Sequence, residues 1–227
     1  MARMKLWTSL VFAALLSASG SGANAVTLRY AFQGDLNALD PYTLNETFTL
    51  GAMGNVMEGL TARDKQLKVV PALAERWEIL APTRWRFHLR RGVKFHGGED
   101  FTADDVLFSL DRMRSEGSQI KGRAPADMKA EKIDDHTVDF LLSRPNPILN
   151  AEWDTWYMFS KKWAVSVGAT QAQSAKATAL EAWALRANGT GPFTVVSHEP
   201  GVRTLFKKNP NWWRAAEHNL DEVIFTT

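Results

Sequence analysis

Between Arg84 and Arg114 the apolar residues change their period, and this change restricts the fold more than any other feature of the chain. Trp85, Phe87 and Leu89 alternate with Arg86, His88 and Arg90, the pattern of a strand with one buried face. Val93 and Phe95 resume the alternation after Gly92, and Gly97-Gly98 supplies a turn. Val106, Leu107, Leu110 and Met113 then recur at helical spacing. Thr102 stands three residues before Asp105, so hydroxyl and carboxylate can each accept the other residue's N–H in a capping box. Phe101 and Val106 occupy the positions of a hydrophobic staple. Asp104 and Asp105 suit the positive end of the helix dipole, Arg112 and Arg114 suit its last turn, and Gly117 stops it. The same stretch brings His96, Glu99, Asp100, Asp104 and Asp105 together. His96 has no second histidine at ligand spacing, so the cluster reads as a turn and a helix start, not as a metal site.

The N-terminus follows different rules. Arg3 and Lys5 precede an apolar run from Leu6 to Ala18, and small residues lead to Ala23-Asn24-Ala25. This is the layout of a cleaved secretory signal, and the run is too short for the roughly 20 residues that span a bilayer. We expect residues 1–25 to be removed and the mature chain to begin at Val26. Arg3 and Lys5 are two of the 27 basic residues, so the mature chain balances 25 basic against 25 acidic residues. Without net charge there is no general field to attract nucleic acid. The chain contains 0 cysteines, which excludes disulfides, a thiol nucleophile and a cysteine-linked lipid anchor. A periplasmic location without a tether is the expectation.

Further along, Val26, Leu28, Tyr30 and Phe32 alternate as a first strand, and Phe48–Met57, with mixed apolar spacing, reads as a helix. Ile133, Asp134-Asp135 and then Val138, Phe140 and Leu142 read as a hairpin. Ser160 caps a short helix ending near Gly168, and an Ala-rich helix is expected from Gln171 to Ala187. Phe193–Val196 and Val202–Phe206 flank Glu199-Pro200-Gly201 as a second hairpin.

The segment "FHLRRGVKFHGGEDFTADDVLFSLDR" resembles the signature region of the family 5 extracellular solute-binding proteins. Leu39-Asp40-Pro41, "MEGLTARD" from Met57, "PALAERWE" from Pro71, "GTGPF" from Gly189, "NPNWWR" from Asn209 and "LDEVIF" from Leu220 follow the same family order. The resemblance implies an α/β, periplasmic binding protein-like fold of class II, in the large type with an extra domain. It implies a first lobe from residues 26–56 and 189–227, an accessory domain from 57–188, and an opposing C-terminal lobe missing from this sequence. The strands near Phe193, Phe206 and Phe225 would then expose apolar surface meant for that lobe. By the same resemblance the function is solute capture for an ABC importer, with a small solute such as a peptide as ligand and the membrane permease as partner. No cofactor is implied.

The loop Gly34-Asp35-Leu36-Asn37 matches the segment that lines the cleft in peptide-binding members, and Glu46 and Thr47 lie just beyond it. Trp153, Trp156, Tyr157, Phe159 and Trp163 are more large rings than a loop needs; Trp156 and Tyr157 stand as candidates to face the ligand, with core packing as the other reading. Gly189 and Thr190 sit where the chain crosses between domains, and a structural turn and a ligand contact are equally open there. Trp212 and Trp213 read as packing at a helix-to-strand corner. Against an enzyme, His88, His96, His136, His198 and His218 show no HExxH spacing and no GxSxG is present. A periplasmic hydrolase and a non-functional or scaffolding fragment remain as alternatives. Dipeptide, oligopeptide, glutathione, nickel chelate, opine and sugar ligands are not distinguished.

Overall fold

The structure is a computed structural model, and it describes residues 25–227. The expected secretory signal lies outside them except for Ala25. Sixteen elements follow in chain order. They begin with β1 (Thr27–Ala31), α1 (Thr47–Met53), β2 (Thr61–Arg63), β3 (Val69–Pro71), β4 (Ala74–Ala81) and β5 (Arg84–Leu89). Then come α2 (Ala103–Met113), β6 (Lys129–Asp134), β7 (Thr137–Leu141), α3 (Leu149–Glu152) and α4 (Lys161–Val167). Strands β8 (Phe193–Glu199), β9 (Arg203–Lys208) and β10 (Glu222–Thr226) close the chain, and two short 3-10 turns complete the set.

The strands form two four-stranded sheets and a small β2–β3 pair. The first sheet has the order β1-β10-β9-β8, so the first strand of the described chain meets the last. Strands β1 and β10 run parallel, from Thr27 opposite Glu222 to Ala31 opposite Thr226. The second sheet is antiparallel, in the order β4-β5-β7-β6.

The alternation in β5 holds: Trp85, Phe87 and Leu89 are buried while Arg84, Arg86 and His88 are half-buried. On the core face Phe87, Phe140, Trp153 and Trp156 meet at ring separations between 4.6 and 6.1 Å. On the other face Arg84 and Arg86 both reach Asp139 of β7, at 2.5 and 2.6 Å. These hydrogen bonds, Arg86 first, hold the Asp139 carboxyl below its ordinary pKa despite burial.

Several expectations need correction. Val93 and Phe95 do not resume the strand; both are buried in a loop in which only a Lys94–Asp100 bridge forms. Helix α1 stops at Met53, and the chain leaves toward β2 by turns. The Ala-rich helix over 171–187 is absent apart from one 3-10 turn at Ala182–Leu185. Its backbone groups have partners elsewhere: Arg112 takes the Gln171 carbonyl at 3.3 Å, and the Ser115 hydroxyl takes the Ala172 N–H at 3.0 Å. Likewise the Leu39 N–H takes the Ala184 carbonyl at 2.8 Å. Helix propensity is a weak preference that such contacts override. Finally, Phe193, Phe206 and Phe225 are buried, whereas the exposed apolar residues of the first sheet include Val26, Leu28, Tyr30, Phe32, Val196 and Val202. No helix among the described residues is long and apolar enough to cross a membrane.

Candidate ligand-binding loop

Because β1 and β10 are parallel neighbours, their carboxyl ends lie side by side, and the Phe32 N–H continues the pairing to the Thr226 carbonyl at 3.2 Å. In open α/β sheets, ligands bind in the crevice outside the carboxyl ends of the strands. The segment Gly34–Asn37 emerges at that place. Asp35 braces it against the opposite side of the sheet. Its carboxylate accepts the Gly201 N–H at 2.5 Å and the Thr227 hydroxyl at 3.1 Å. Gly201 sits in the β8–β9 turn with φ +73°, a conformation that favours glycine. Behind the loop lies His198, hydrogen-bonded to the Thr204 hydroxyl at 2.8 Å. Burial lowers its pKa, opposed by the charge of Asp35 and by the Leu36 backbone.

The ten candidate residues divide by position. Asn37, Glu46 and Thr47 are exposed, while Gly34 and Asp35 are half-buried. A side chain at Gly34 would lie 3.2 Å from the Phe32 ring, which covers it. Glu46 is the N-cap residue of α1, and its carbonyl accepts the Leu50 N–H at 2.9 Å. Among the described residues, the N–H groups of Gly34, Asp35, Leu36 and Asn37 are not taken by any protein acceptor.

The other five lie in the interior. Leu36 is fully buried, main chain included, so it supports the loop from beneath and does not meet a ligand. Trp156 is fully buried against Trp153 at 4.8 Å, in the core rather than at a cleft. Tyr157 donates its hydroxyl to the Leu50 carbonyl at 2.8 Å, and its own carbonyl accepts the Tyr42 hydroxyl at 2.7 Å. Burial, with the nearby charge of Asp154, pushes its pKa up to about 12. At Gly189 an added Cβ would lie 2.0 Å from the Val56 carbonyl oxygen, so the returning chain fits only with glycine there. The Gly191 N–H reaches the same carbonyl at 2.9 Å. Thr190 is buried and donates to Glu58 at 2.8 Å. Here the structural turn is what the geometry contains.

The histidine and its acids hold this crossing together. The His96 ring contacts the Gly191 carbonyl at 3.0 Å and accepts the Gly189 N–H at 3.3 Å. Glu99 accepts from the Asn188 amide at 3.2 Å, and Asp100 pairs with Lys94 at 2.6 Å. Burial lowers the His96 pKa, against the bond to Gly191. Trp212 and Trp213 also do more than pack. Both indoles donate to Glu58, at 3.3 and 2.8 Å, from a loop rather than a helix corner. Burial raises the Glu58 pKa and these donors oppose the rise.

One arrangement was not foreseen from sequence. Arg112, assigned only to the last turn of α2, is 0% exposed and grips Asp40 with both arms, at 3.0 and 2.7 Å. Asp40 closes the turn that follows the loop, accepting the Tyr42 N–H at 3.0 Å and the Thr43 hydroxyl at 2.9 Å. The signal present in the sequence was an Asp-Pro turn and an arginine on the buried side of an amphipathic helix. Nothing in either spacing pairs the two.

Residues 68–227 match the family model for bacterial extracellular solute-binding proteins, family 5 middle region. The chain is 30% identical, over 98% of its length, to the dipeptide-binding protein of Escherichia coli K12, of which it covers 44%. Among solved structures, MoaA of A. tumefaciens R10 in complex with mannopinic acid aligns with a TM-score of 0.76 at 27% identity, covering 89% of this chain and 41% of that one. The periplasmic binding protein DppA of Helicobacter pylori, in complex with the peptide STSA, gives 0.73 at 24% identity, with 89% and 43% covered. The chain spans under half the length of these proteins, and its architecture is part of the periplasmic binding protein fold.

Proposed function

Since the chain belongs to the bacterial extracellular solute-binding proteins of family 5, we propose that it captures peptides in the periplasm and delivers them to the permease of an ABC importer. It acts by binding, not by catalysis. Residues 1–25 are its export signal in this reading. Residues 26–56 and 189–227 supply the ligand-facing lobe, and residues 57–188 form the accessory domain.

The observation that carries the proposal is the Gly34–Asn37 loop at the joint carboxyl end of β1 and β10, where the N–H donors of Gly34, Asp35 and Asn37 lie on residues that are not buried and are unclaimed by the protein. An extended peptide offers backbone carbonyls to such donors, and main-chain pairing of this kind binds peptides without demanding one side chain. Asn37 stands exposed to add a side-chain amide, and Asp35 keeps the loop in place. The dipeptide-binding name of the Escherichia coli relative supports the same class.

Hydrogen exchange read by mass spectrometry provides the test. A mixture of di- to pentapeptides should slow exchange at residues 34–37 by about tenfold, while mannopinic acid and nickel–histidine should leave it unchanged. Protection by either of those two instead of peptide would move the ligand class. Protection confined to other segments would remove the loop from the site.

A further inference from the structure

We infer that Arg112 is the positioning residue through which the second sheet and its helix set the geometry of the Gly34–Asn37 loop. The inference rests on the reading of that loop as ligand-facing. The chain from Gly34 to Thr43 is a strap with a carboxylate anchor near each end, and between them Leu36, Ala38 and Leu39 are buried and the Leu39 N–H meets the Ala184 carbonyl. At the start Asp35 holds to the Gly201 turn of the first sheet. At the end Asp40 holds to Arg112, which projects from α2, and α2 packs on β6, β7 and α4. Asn37 lies exposed between the anchors, so a shift of Asp40 is passed along a few residues of chain to the ligand-facing backbone.

Arg112 is held at several points. Its Nε donates to the Ala169 carbonyl at 2.9 Å, and its guanidinium lies 4.1 Å from the centre of the Phe159 ring. Both arms go to one carboxylate that is itself only 2% exposed. A planar fork on a carboxylate fixes orientation as well as distance, which a lysine ammonium cannot do. Asp40 also shapes its own turn through Tyr42 and Thr43, so the fork sets a turn and not a single side chain. The second sheet contributes no residue to the loop itself, and through Arg112 it still determines where the loop stands.

The test compares Arg112→Lys and Asp40→Asn with Met113→Ala, a buried truncation one residue along the same helix, at temperatures chosen so that all have the same fraction unfolded. Hydrogen exchange over residues 36–43 should be at least about tenfold faster in the first two than in the control. The peptide-induced protection at 34–37 should need about tenfold more peptide in them, again relative to the control. Loop exchange no faster than in Met113→Ala would reduce the pair to general stability and overturn the inference. So would a loosened loop with unchanged peptide response. The exchange arm needs no ligand, so a wild-type chain indifferent to peptide overturns the proposed function while the anchoring is still decided by the loop.

Discussion

Asp105 shows how one side chain can serve local and tertiary structure together. It completes the expected capping box, its carboxylate accepting the Thr102 N–H at 2.8 Å and the Thr102 hydroxyl at 3.2 Å. It also accepts the Lys161 N–H at 2.8 Å, which ties the start of α4 to the start of α2. Removing the cap residue should cost about 1 kcal/mol. Removing the carboxylate leaves both part-buried amides that it serves without their acceptor, and should cost about 2 kcal/mol. Urea unfolding of Thr102→Ala and Asp105→Ala checks this; equal losses would mean that the bond to Lys161 contributes nothing. The local half of this role was legible in the sequence because a capping box has a fixed spacing. The Lys161 contact was not, because it joins residues brought together only by packing. Arg112 and Asp40 illustrate the same limit: each has a sound local reading, and only their separation in space makes them a pair.

At the scale of elements, the sequence pattern predicts Gly117 as the stop of α2. The helix ends earlier, with Met113 its last residue and Arg114 as an ordinary right-handed cap. Gly117 is needed for another reason. A Cβ there would lie 2.1 Å from the Ala172 carbonyl oxygen, on the segment expected to be helical. Gly117→Ala should therefore destabilise by about 3 kcal/mol, near the upper end for overpacking, rather than stabilise as a loop Gly→Ala often does. Thermal unfolding reads the sign directly, and a raised midpoint would refute the close approach. The hairpins β6–β7 and β8–β9 and the Ser160-to-Gly168 helix, by contrast, follow the sequence closely. Their turns and caps are local, and nothing else competes for their backbone groups.

At the scale of the molecule, β1 is an edge strand of its sheet. Leu28 and Tyr30 in it and Val26 and Phe32 flanking it are 44, 37, 42 and 45% exposed. Apolar residues on an open edge favour association with another strand or surface. The chain beginning at Val26 should therefore show concentration-dependent association by light scattering, and Leu28→Lys with Phe32→Lys should reduce it. Unchanged association in the double variant would place the sticky surface elsewhere. The expectation of exposed apolar surface came from the sequence, but its location did not, since strands near Phe193, Phe206 and Phe225 turn those rings inward.

What the sequence determined by itself is whatever depends on neighbours in the chain: the alternation of β5, the start of α2, the hairpins and the family to which their order belongs. These signals work over a few residues, where covalent connection already keeps the partners together. The tertiary structure decided the rest. It left 171–187 without its helix, holding that segment by bonds to Arg112, Ser115 and Leu39 and by the close approach of Gly117 to Ala172. It placed Trp156 in the core and Gly189 against Val56. It also joined Asp40 to Arg112, 72 positions away, because a buried carboxylate without a cation is costly and the fold brings that arginine within reach.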